Sequence, residues 1–143
     1  MTVFLTVLSG VITFVLGQLI LKLLVDPVND FRRTVADVAL SLIEYANIYS
    51  NGAAEIEIER KASEEFRRLS SRLNAQMYLI PCYRCTAKLF GLPSRDKVVD
   101  SAKNLIGLSN GVLRPVSDGN VILVNLKRAN EIRNALGIFS PEN

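Results

Sequence analysis

Residues Val3 to Leu21 read VFLTVLSGVITFVLGQLIL, nineteen positions without a charge. At ~1.5 Å per residue such a run forms a helix of roughly 28 Å, close to the ~30 Å hydrocarbon thickness of a bilayer. A secretory leader would need a basic stretch before its apolar core and a small-residue cleavage site after it. Only Met1 and Thr2 precede this run, and Lys22-Leu23-Leu24-Val25-Asp26 follows it. A soluble core helix would carry a polar face. Here the non-apolar positions are limited to Thr6, Ser9, Gly10, Thr13, Gly17 and Gln18. The run therefore predicts a transmembrane helix within residues 1–25, followed by a helical domain over 26–138 and a loose tail over 139–143.

The flanks predict an orientation. Short segments rich in Lys and Arg stay cytoplasmic. Lys22, Arg32 and Arg33 follow the run, and only the terminal amine precedes it. The expected topology is single-pass, N-terminus outside, with the C-terminal domain cytoplasmic and Lys22 snorkelling toward the headgroups.

Within the run, Ser9, Thr13 and Gly17 recur at steps of four, Gly10 sits beside Ser9, and Gln18 lies on the flank of that face. Small residues at this spacing let helices approach closely in lipid, and a glutamine can hydrogen-bond across a helix pair or face a wet lumen. Gly, Ser and Thr are also common in membrane helices generally. The stripe leans toward self-association.

The chain has 143 residues, 49% of them hydrophobic, and a mean hydropathy of +0.23 to which the apolar run contributes. Residues beyond the run suffice for one small domain with a core. Histidine is absent, which excludes Ser-His-Asp and Cys-His catalysis and His-ligated zinc. No Gly-rich phosphate-cradling fingerprint occurs. The expectation is a non-enzymatic protein with no catalytic residues, no metal, no cofactor and no evident small-molecule substrate.

Charge is unevenly spread. Residues 26–66 carry nine acids against four bases, and residues 67–103 carry eight bases against two acids. Such a split suits nucleic acid, anionic lipid or head-to-tail contact between copies, or simply two solvated helix faces. Arg67, Arg68, Arg72, Arg84 and Lys88 are the candidate residues for RNA or an acidic protein partner.

Down the chain, Asp26-Pro27 is expected to start a new helix, because proline fits a first turn. Val28, Phe31, Val35, Val38, Leu42, Tyr45 and Tyr49 then repeat in alternating steps of three and four. This heptad seam packs either against its own domain or against copies of itself, so Val35, Leu42 and Tyr49 join the span stripe as candidate oligomerisation residues. Ser50-Asn51-Gly52 ends it.

A second helix is predicted over Ala53–Ile80 with Ala62, Phe66, Leu69, Leu73, Met77 and Ile80 inward, and Pro81 stops it. A short helix over Cys82–Phe90 closes at Gly91. Ser94 caps another over Arg95–Leu108, with Val98, Ala102, Leu105 and Leu108 inward. Arg114-Pro115 and Ser117 to Asn120 read as a loop. The last element, Val121 to Leu136, begins with strand-like Val-Ile-Leu-Val, but Val124, Ala129, Ile132 and Leu136 favour a helix stopped by Gly137. The fold class is all-α: one membrane helix and a compact bundle of about five more.

Cys82-Tyr83-Arg84-Cys85 is the one motif that names a chemistry. A CxxC at a helix start can be a redox pair, but the βαβ setting of thioredoxin-like motifs is missing, and zinc would need a second pair from another subunit. Two buried or lipid-proximal cysteines serving as small apolar residues is the plainer reading. Tyr45, Tyr49, Tyr78 and Tyr83 read as core residues with a polar tip. Arg133-Asn134 is similar to the arginine of helical ribonuclease domains. Ile138 or Phe139 stands where the histidine of such a site would be, and that activity is not assigned.

The order of Asp26-Pro27, Tyr45-Ala46-Asn47, Ile80-Pro81, Leu89-Phe90-Gly91-Leu92-Pro93-Ser94 and Leu105-Ile106-Gly107-Leu108-Ser109-Asn110 behind a membrane helix resembles a group of small uncharacterised bacterial single-pass membrane proteins with a cytoplasmic helical domain. The resemblance implies a bacterial inner-membrane location and no particular activity. In layout the chain is also similar to the small membrane proteins that accompany some CRISPR effectors and assemble as pores, which implies an antiviral defence role by analogy alone. The expected function is homo-oligomerisation through span and domain, building a pore or membrane-perturbing assembly, with self and membrane lipid as partners. The alternative is a membrane-tethered module that recruits RNA or an acidic protein.

Overall fold

The computed structural model describes residues 1–51, 55–114 and 119–138, and among these it is all-helical, with no strand. Helix α1 runs Thr2–Glu44. Helices α2 (Ala46–Asn51), α3 (Ile56–Leu79), α4 (Tyr83–Phe90), α5 (Arg95–Gly111) and α6 (Gly119–Leu136) follow. The expected tail over 139–143 lies outside the described residues, as does most of the expected loop; its last residues, Gly119 and Asn120, already belong to α6.

Helix α1 corrects the expectation of a new helix at Asp26-Pro27. The helix continues through that point, and the chain accommodates proline by widening the turn just before it. Leu21–Val25 is a π turn, in which the Asp26 N–H donates to the Leu21 carbonyl five residues back. A proline ring clashes with the carbonyl four residues earlier, here that of Leu23, and removes one helical hydrogen bond. The wide turn relieves that clash with one extra residue instead of a break.

A second correction concerns the seam from Val28 to Tyr49. The helix breaks at Tyr45, whose φ of −97° and ψ of 14° leave the helical region, and α2 restarts at Ala46. The break turns both tyrosines onto one ring. Tyr45 meets Phe66 edge-on at 5.8 Å and Tyr49 meets it at 6.5 Å. The Tyr49 hydroxyl donates to the Leu42 carbonyl at 2.8 Å, satisfying a backbone acceptor beside the break.

Helix α3 is the central element, and its inward residues are those its spacing predicts: Ala62, Phe66, Leu69, Leu73 and Met77 are buried, with Ile80 just past its end. Asp37 pairs with Arg72 at 2.8 Å, Tyr45 packs on Phe66, and the Thr34 hydroxyl donates to Gln76. These pairings run in opposite directions along the two helices, so α3 is antiparallel to the lower half of α1. Its C-terminal end returns to the level of Phe31.

Helix α5 is antiparallel to α3 in turn, held by Ser63 to Ser109 at 2.9 Å and Ser70 to the Ala102 carbonyl at 2.8 Å. These buried serines are small enough to bring the two backbones close, with Val98, Ala102, Leu105 and Leu108 packed between. Helix α6 closes the other side of α5 through Ala129, Ile132 and Leu136. Stops follow local chemistry. Gly91 and Gly137 take φ of +66° and +70°, where the Leu92 and Ile138 N–H groups reach back to the Ala87 and Arg133 carbonyls. The Ser94 hydroxyl accepts from the Lys97 N–H at 3.5 Å.

Two side-chain expectations are corrected. Val124 is exposed, and Asn125 takes the inward position, because 125, 129, 132 and 136 keep steps of three and four while 124 to 129 is a step of five. Tyr78 is exposed rather than core. Its ring lies under the Arg95 guanidinium at 5.4 Å.

Candidate functional site

The small-residue stripe stands clear of the domain. Residues 1–23 are exposed along their whole length, and a Cβ added at Gly10 or Gly17 would meet nothing within 4 Å. Ser9, Thr13 and Gln18 make no side-chain hydrogen bond, whereas Thr6 bonds back to the Thr2 carbonyl at 2.9 Å. One N-terminal helix is thus long and apolar enough to cross a membrane, and none of that stretch is used by the fold.

The other three candidates for self-contact behave differently. Leu42 and Tyr49 are core residues and Val35 is half-buried against them, so the heptad seam packs on its own domain. Leu42 and Tyr49 present no surface to another copy. Tyr49 also accepts from Arg133 Nη2 at 3.2 Å, a link across 84 positions that no sequence pattern announces. Burial raises the Tyr49 pKa, with Arg133 pulling the other way. What the lower half of α1 does expose is Leu40 and Ile43, at 62% and 58% of their surface, two positions the sequence pattern passes over.

The five basic candidates divide in two. Arg67 donates to Ser109 at 3.1 Å and Asn110 at 2.8 Å, joining α3 to α5. Arg68 forks onto Glu65 at 2.9 and 2.7 Å, and the Glu65 carboxylate raises its pKa. Arg72 is taken by Asp37. Arg84 and Lys88 alone remain without a partner, on the outer face of α4. Arg95, from the start of α5, joins them around a hollow of about 840 Å³ that also includes Cys82, Cys85 and Leu92.

Both cysteines are exposed, which removes the reading of a buried pair. Cys82 sits immediately before α4 at φ +46°, and its carbonyl accepts the Cys85 N–H at 2.8 Å. Beneath them Tyr83 meets Phe31 edge-on at 6.2 Å, and its hydroxyl donates to the Pro93 carbonyl at 2.8 Å. Burial pushes the Tyr83 pKa up to about 12.

At the opposite end, the Asn125 side chain lies against Gly111 with its Oδ1 buried and unbonded. Gly107, Arg114 and Arg128 line the small hollow of about 180 Å³ beside it. Arg128 Nη1 donates to the Gly107 carbonyl at 3.0 Å. Among the described residues, no group of His, Cys, Asp or Glu side chains could hold a metal ion. No protein-family model matches this chain, and neither a curated protein nor a solved structure matches it.

Proposed function

We propose that this chain is a non-enzymatic single-pass membrane protein, N-terminus outside and domain in the cytoplasm, that self-associates along one side of α1. The assembly it builds is a ring of spans able to perturb or perforate the bilayer. The observation that carries this reading is the register set by the π turn. At about 100° per residue, with one extra residue in that turn, the centre of Leu40 and Ile43 falls roughly 35° from the centre of Ser9, Gly10, Thr13 and Gly17. Without the extra residue it would fall roughly 135° away. The aligned side is turned about 135° from Val28, Phe31, Val38 and Leu42, which face the core. A small-residue stripe and an exposed apolar pair below it thus lie on one side of α1, with Asn29, Arg32 and Ala36 between them.

The test is the mass of the detergent-solubilised full-length protein by light scattering, with detergent subtracted. A discrete multiple of 15.8 kDa supports the reading. Gly17→Leu combined with Leu40→Ala and Ile43→Ala should reduce it to the monomer, and an unchanged particle would count against self-association through this face. Recruitment of RNA or an acidic protein through the five basic residues is less favoured, because Arg67, Arg68 and Arg72 are already engaged within the fold.

A further inference from the structure

The far end of α3 and α4 lie beside Phe31 and Arg32, below the apolar stretch of α1. Tyr83 packs on Phe31, and Arg32 Nη2 donates to the Phe90 carbonyl at 2.7 Å. Arg32 is seven residues beyond Val25, roughly 10 Å along the helix. The polar layer of a bilayer is about 5–7 Å deep on each side. Lys and Arg side chains extend several ångströms with their stems on apolar surface. The outer face of α4 is therefore within reach of the headgroups if the span extends to Val25, the lower bound expected from the sequence.

That face has the composition of an interfacial surface. Leu79 and Leu89 are 68% and 75% exposed. Arg84, Lys88 and Arg95, with the carboxylate of Asp96, line the hollow between α4 and the start of α5. From Tyr78 to Lys97 four basic residues stand against the single acid Asp96. The nearest acids on α1 are Asp26 and Asp30, and Asp30 is paired with Arg33 at 3.6 Å. Meanwhile the acidic start of α3, Glu55, Glu57, Glu59, Glu64 and Glu65, lies at the opposite end of the antiparallel pair. The end of the bundle beside Arg32 is thus net positive, whereas the acids at the start of α3 are interleaved with Arg60, Lys61, Arg67 and Arg68 and share their end with Arg114 and Arg128. Negative leaflet charge attracts the positive end.

We propose that this hollow binds an anionic phospholipid of the bilayer that the span crosses. Its phosphate sits among Arg84, Lys88 and Arg95, and Leu79 and Leu89 rest against the headgroup layer. The proposal rests on the single-pass reading above. It does not depend on self-association.

The chain has no tryptophan, so full-length Leu89→Trp carries one reporter on this face. Reconstituted into phosphatidylcholine vesicles containing phosphatidylglycerol, its emission should shift to shorter wavelength, and quenching by acrylamide should fall roughly fivefold relative to phosphatidylcholine alone, the weight of about one basic residue at an anionic surface. Adding Arg84→Glu and Lys88→Glu, neither of which removes an internal contact, should restore the exposed spectrum with helicity unchanged. Equal shielding in both vesicle types would overturn the proposal. So would shielding produced by inorganic phosphate or single-stranded RNA added to neutral vesicles. Flotation separates the two levels of the argument: protein that floats with vesicles but shows an unresponsive reporter refutes the lipid site alone, and protein that floats with neither composition refutes the span as well.

Discussion

Tyr83 and Gly111 show how single side chains in this fold can be tested without disturbing the rest. The raised Tyr83 pKa means that the folded protein holds the phenol proton more tightly than the unfolded chain, whose value is near 10. That contribution is complete below pH ~10 and is lost as pH rises toward about 12, so the melting temperature should fall across that window. Thermal melts of Tyr83→Phe should show a shallower fall, at a cost of about 1 kcal/mol at neutral pH for the lost hydrogen bond to Pro93. Gly111 makes a different prediction. A methyl group there would overlap the Asn125 amide, so Gly111→Ala should destabilise by about 1–3 kcal/mol. Asn125→Ala, which removes an unbonded buried acceptor, should recover most of that loss in the double variant. Neither relation is legible in the sequence. The spacing points to Val124 instead of Asn125, and an asparagine facing a glycine across two helices leaves no local pattern.

At the scale of elements, the sequence is most informative where a helix obeys its own periodicity. Helices α3, α4 and α5 lie close to their expected bounds because Phe66, Leu69, Leu73, Leu105 and Leu108 keep helical spacing and Pro81, Gly91 and Ser94 punctuate them. Helix α1 was less legible because two general rules compete at Asp26-Pro27. Proline favours a helix start, yet a wide turn one step earlier tolerates it inside a continuous helix. Leu42 belongs to the core and not to an interface for a reason the sequence hides: a heptad seam does not say whose surface it meets. Leu42→Ala should cost about 2–5 kcal/mol in chemical denaturation, because it empties core space rather than an interface. Register itself can be tested by phasing. One alanine inserted after Ile20 rotates the stripe by about 100° against Leu40 and Ile43 and should abolish assembly in light scattering, whereas four alanines, a net rotation of about 40°, should largely restore it.

For the whole molecule, the membrane reading predicts sidedness. A C-terminal epitope should be digested by added protease in inside-out vesicles and protected in right-side-out ones; the reverse pattern would refute the orientation drawn from Lys22, Arg32 and Arg33. The basic candidates illustrate what a chain of letters conceals at this scale. Asp37 and Arg72 lie 35 residues apart, and only the antiparallel return of α3 makes them partners. One consequence of the uninterrupted α1 remains. A helix of 43 residues is about 65 Å long, and its lower half is clamped into the domain while its upper half stands clear of it. The π turn at Leu21–Val25 joins the two halves without a break in the helix, so on the single-pass reading a tilt of the span passes to the domain. If a thinner bilayer tilts the span by about 10°, the end near Glu44 swings by roughly 5 Å, and the domain must swing with it. On the single-pass reading, membrane thickness thereby becomes a mechanical input to the domain at the end of α1.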